Sequence, residues 1–111
     1  MAETPPGMAA KADVHFVDST DTVGYLNLAV ATTDYSIALP DGLWEVILDA
    51  AGGVAIGKYA ATVTLPSDGS APIAGFVVGP GFPRRIQGNA TVHLKMPAGT
   101  GKAYFQRVQA P

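Results

Sequence analysis

The chain has 111 residues, enough for one domain with a modest core and too few for two. Charged residues make up only 14% and the formal charge is -2, so the cationic footprint that phosphate binding needs is missing, which argues against nucleic acid as the main partner. There is no cysteine, which excludes a disulfide scaffold, a thiolate metal site and a thiol nucleophile together.

Residues 1–12, Pro-, Ala- and Gly-containing and without periodicity, read as a flexible N-terminal arm, and residues 13–111 as a single domain. Asp13 to Asp18 alternates as a short strand, with Val14 and Phe16 opposite His15 and Val17. Val23 to Thr32 reads as a second strand, with Leu26, Leu28 and Val30 in the buried row and Tyr25 and Asn27 on the other face.

The stretch from Asp34 to Leu48 dominates the reading. Tyr35, Ile37 and Leu39 share one face of the leading run, and Trp44, Val46 and Leu48 share one face of the returning run. Between them Pro40-Asp41-Gly42 supplies turn chemistry: Pro sets the first φ, Asp bonds its own backbone and Gly accepts positive φ. These features predict a β-hairpin. Trp44, grouped with Val46 and Leu48, is expected in the core and not on a surface platform.

Val54 to Ile56 is a short apolar strand with Gly57 as a bulge or turn, and Tyr59 to Leu65 alternates as a further strand with one dry face. After the apolar run Ile73 to Val78, the prolines of GPGFP force an irregular path and place Arg84-Arg85-Ile86 in extended conformation away from a sheet centre. Thr91 to Met96 turns Val92, Leu94 and Met96 inward and His93 and Lys95 outward, and Ala103 to Val108 is the last strand. No segment shows uninterrupted helical periodicity. Short strands separated by turn signals at roughly 8–12 residues predict an all-β fold, a small antiparallel β-sandwich or jelly-roll-like domain.

Chemistry is sparse. His15 and His93 stand without metal-ligand spacing around them, no nucleophile elbow or P-loop occurs, and Gly79-Pro80-Gly81 lacks the following helix that a phosphate cradle requires. The expectation is a protein that is not an enzyme and uses no cofactor or metal. Tyr25 and Tyr104 are the aromatic candidates for an exposed contact, and Arg84 and Arg85, pointing to opposite faces, are candidates for pairing with a partner's carboxylate. No run approaches the ~20 apolar residues of a bilayer span and no secretory signal is visible, so a soluble chain made in the cytoplasm is expected, without a membrane partner.

The order of features is also familiar. Leu39, Pro40, Gly42, Trp44 and Val46, then Gly57, Gly81 and Pro83, then Gly99, Thr100, Gly101, Tyr104 and Phe105 resemble a pattern in small accessory virion proteins of tailed bacteriophages. The resemblance covers about the last two-thirds of the chain. It implies a head-decoration or cement protein on the capsid exterior, with the major capsid protein as partner and a homo-oligomer, a trimer favoured, as its working form. The alternatives are a small carbohydrate-binding sandwich using Tyr25 or Tyr104, and a tail or head–tail connector component.

Overall fold

The structure, a computed structural model, describes residues 22–109. The expected arm at residues 1–12 and the expected strand at residues 13–18, with His15, lie outside the described residues. All elements among the described residues are strands: β1 (Val23–Leu28), β2 (Tyr35–Leu39), β3 (Leu43–Asp49), β4 (Ala55–Tyr59), β5 (Phe76–Val78), β6 (Arg84–Gln87), β7 (Ala90–Lys95) and β8 (Gly101–Gln109).

They form two four-stranded antiparallel sheets with the orders β1-β8-β3-β6 and β2-β7-β4-β5. Every consecutive pair except β4 and β5 lies in opposite sheets, so the chain passes back and forth across the core. That order is an eight-stranded jelly roll. Between the sheets lie Trp44, Val46, Phe105, Leu28, Val92, Leu94, Met96 and Val78, all essentially without solvent contact.

The expected hairpin at Asp34 to Leu48 is the main correction. β2 pairs with β7, and β3 pairs with β6 and β8, so the two runs face each other across the core instead of bonding edge to edge. The turn chemistry is real, with Gly42 at φ 127, but its carbonyls bond elsewhere. Pro40 O accepts from Asn89 N at 3.0 Å and Gly42 O accepts from Gly88 N at 2.8 Å. Trp44 Nε1 donates to Pro40 O at 3.0 Å. The Pro40-Asp41-Gly42 corner is thus clamped to the Gly88-Asn89 corner that joins β6 to β7, and both connections cross between sheets at the same end.

Three smaller expectations also change. Gly57 is an interior residue of β4 in regular register with Phe76 and Leu94 and not a bulge, and the rim of the Phe76 ring occupies the space a side chain would take. Tyr59 to Leu65 is not a strand: β4 ends at Tyr59, Ala60 takes φ 60, and of the alternating residues beyond it only Val63 is buried. Val30 falls outside β1 and is exposed. The buried rows Trp44/Val46/Leu48 and Val92/Leu94/Met96 and the location of Trp44 in the core stand as read from the pattern.

A Cβ at position 88 would press into Pro40 O, with Trp44 Nε1 at 2.7 Å and Gly42 O at 2.9 Å. Backbone oxygens in a hydrogen-bonded corner cannot give way as a flexible side chain does. Gly88→Ala is expected to destabilise the protein by about 1–3 kcal/mol, as overpacking does. Urea denaturation followed by Trp44 fluorescence measures it, and an unchanged midpoint would show that the two corners are not clamped.

Candidate functional site

The outer face of the β1-β8-β3-β6 sheet is set by alternation: with Ala103 and Phe105 inward, Lys102, Tyr104 and Gln106 project outward, and Trp44, Val46 and Leu48 leave Glu45 and Ile47 on the same outer face. Register aligns these residues into rows. Tyr25, Tyr104 and Ile47 form the middle row, flanked by Val23, Gln106, Glu45 and Arg85 on one side and Asn27, Lys102 and Asp49 on the other. The two tyrosine rings lie 5.2 Å apart, tilted by 39°. Both rings are partly open to solvent, at 47% and 38% exposure, so the pair is a surface feature and not an extension of the core. Cross-strand aromatic pairs of this kind contribute about 0.5–1.5 kcal/mol beyond their burial.

The second candidate region is the rim between β5 and β6, edge strands of different sheets that the Arg84 side chain bridges. Arg84, on the inward parity with Ile86, crosses this rim: its guanidinium lies 5.4 Å from the Phe76 ring centroid and Nη1 donates to Val77 O at 3.3 Å. Arg85 points to the outer face, where Nε meets Glu45 Oε2 at 3.4 Å in an ion pair whose arginine side chain is 66% exposed. The pattern's assignment of the two arginines to opposite faces therefore matches the geometry. A cleft of about 450 Å³ opens beside them, lined by Lys58, Tyr59, Phe76, Arg84 and Arg85 among others. Tyr59 packs on Phe76 at 5.4 Å and accepts a hydrogen bond from Gln87 N at 3.1 Å.

A feature that strand alternation could not reveal lies on the other sheet. His93 Nδ1 sits 2.7 Å from Asp34 Oδ2, Val63 N donates to Asp34 Oδ1 at 2.9 Å, and Lys95 Nζ donates to Val63 O at 2.8 Å. His93 and Lys95, read as outward positions, hold the segment between β4 and β5 against the sheet through Asp34 and Val63. Partial burial pushes the Asp34 carboxyl up, but the hydrogen bonds from His93 and Val63 and the charges of His93 and Lys95 outweigh it and leave the group below its ordinary value of 3.8. The arrangement is an anchor. Among the described residues, no cluster of three or more His, Cys, Asp or Glu side chains is placed to hold a metal ion.

No family model matches the chain, and neither a curated protein nor a solved structure matches it. The site must therefore be read from its own geometry. Of the residues singled out from sequence, Tyr25 and Tyr104 are brought into contact on one face, and Arg84 and Arg85 are placed together at the β5–β6 rim, with Arg85 belonging to both regions.

Because the folded-state pKa of Asp34 is depressed, the anchor's contribution is fully present above the unfolded-state pKa and fades as pH falls through the folded one. Asp34→Asn is expected to lower stability at pH 7 and to flatten the loss of stability below about pH 4. Urea midpoints of both proteins at pH 7 and pH 3 provide the comparison, and an equal drop in the two proteins would show that Asp34 has no part in the acid response.

Proposed function

We propose that this chain is a non-enzymatic virion protein that binds the outside of a bacteriophage shell and stabilises it, as a cement or decoration module. The observation that carries the reading is the Tyr25–Tyr104–Ile47 row: an apolar, aromatic strip on a sheet face, flanked by Asn27, Lys102 and Asp49 on one side and by Gln106, Glu45 and Arg85 beside the exposed Val23 on the other. An apolar centre with a polar rim is the anatomy of a protein contact, and tyrosine is enriched at its energetic centre. Jelly rolls serve both in viral capsids and in lectins, so the fold is an analogy in favour of the reading and the surface has to carry it.

The major capsid protein is the partner, and a trimer set on the shell is the working form that the resemblance in sequence suggests. Association with an assembled lattice stabilises the assembled state by mass action, without any chemistry in the module itself. A carbohydrate-binding role would use the same two tyrosines. Their 39° tilt leaves the two rings without a common plane, so a sugar would stack on one of them alone.

The double substitution Tyr25→Ser/Tyr104→Ser removes the strip while leaving the core untouched. Particles assembled without this chain and then mixed with each protein are expected to retain the wild type and to bind the variant at least about tenfold more weakly, as loss of two central aromatics at a contact implies. Equal retention of both in pelleting assays would overturn the assignment of this face. A glycan that displaces the wild-type protein from particles, or binds it in their absence, would move the reading to the carbohydrate-binding alternative.

A further inference from the structure

The chain is weakly acidic overall, with seven Lys and Arg against nine Asp and Glu. Three of those seven cations, Lys58, Arg84 and Arg85, nevertheless line one cleft, and among the described residues no Asp or Glu lines it with them. The cleft lies between the end of β4, Phe76 at the start of β5, and β6, and among the described residues β5 and β6 each have a sheet neighbour on one side only. Edge strands of this kind present backbone N–H and C=O groups to whatever lies beside them. We infer that the β5–β6 rim is a docking site for an extended acidic peptide segment of a protein partner, its carboxylates paired with Lys58, Arg84 and Arg85.

Charge sets the sign of the ligand, and the aromatic residues decide its class. Arg84 and Tyr59 both pack on Phe76, and the Tyr59 hydroxyl is engaged by Gln87 N. The Phe76 ring is therefore covered by the protein's own side chains, and Tyr59, 39% exposed, is held against it. Nucleic acid fits poorly, because three cations on a chain of net negative charge do not make a phosphate track. What the rim does offer is forked arginine donors and a lysine beside a strand edge whose Val77 O and Gln87 N are already held by Arg84 and Tyr59, so the recognition rests on carboxylate pairing. Arg85 keeps most of its surface open while touching Glu45 at 3.4 Å, a loose exposed pair that a partner carboxylate can replace at little cost. Arg84 is held by Phe76 and Val77 O, which orients its guanidinium before a ligand arrives.

The inference gives a partner chemistry to the proposed assembly role and rests on that reading, but its test uses the isolated protein. An acetylated and amidated octapeptide alternating Glu and Thr is titrated into isotope-labelled protein while backbone amide shifts are followed. The expected result is saturable shifts at Phe76–Val78 and Arg84–Gln87, weakened at least about tenfold when salt is raised from 0.05 to 0.5 M, as screening requires of an exposed charge contact. The Lys58→Ala/Arg85→Ala variant, which leaves Arg84 on Phe76 and so keeps the rim packed, is expected to lose at least about tenfold in affinity. Absent shifts, equal shifts with a Lys–Thr octapeptide, or shifts at these amides with tetragalacturonate and not with the Glu–Thr peptide would each overturn the proposal. Particle retention reads the tyrosine face, so failure there with a positive titration, or the reverse, separates the two readings.

Discussion

The architecture depends on two chain corners holding each other at one end of the sandwich. Pro40 O receives both Trp44 Nε1 and Asn89 N, and Gly42 O receives Gly88 N. In a hairpin these carbonyls would face their own return strand. Here they face the next corner, so β2 and β3 leave in opposite sheets, as do β6 and β7, and the buried Trp44 ring is fixed by the same oxygen that ties the corners together. These two carbonyls find the donors they have only if both crossings form.

Crossing between sheets at almost every connection has consequences for the surfaces. It places β8 between β1 and β3, which brings Tyr104 beside Tyr25 and Ile47 although they come from three distant parts of the chain. It also leaves β5 and β6 as edges of different sheets on the same side of the molecule, with Arg84 spanning the rim between them. The tyrosine face is built on strands whose inward side chains are locked in the core, which is how a small domain can present a rigid contact surface, whereas the arginine cleft also takes Ala74 and Gly75 from the connection before β5.

Much of the burial was legible from alternation alone. A period of two states which residues share a face, and the rows Trp44/Val46/Leu48, Val92/Leu94/Met96 and Ala103/Phe105 follow from it. The same period is silent about neighbours: a strand buries the same residues whether its partner is the next strand or one sixty residues away. That is why Pro40-Asp41-Gly42 reads as a hairpin turn and forms a crossing instead. Alternation also misleads where the backbone leaves the sheet, as at Ala60, whose left-handed conformation ends β4 before the apolar pattern does. The Asp34–His93–Val63 anchor was invisible for a different reason, since its members are separated by up to 59 residues and meet only through the register of β2 with β7. Tyr25, Tyr104, Arg84 and Arg85 could be singled out by type and strand parity, but their pairing is a product of topology.

The most direct measurement of the central claim is the number of copies of this chain in purified phage particles, obtained by quantitative mass spectrometry against the major shell subunit. A module that covers the shell by its sheet face is predicted to occur at a simple ratio to that subunit, near one to one or a small fraction set by lattice symmetry. A complete absence from particles would contradict the account.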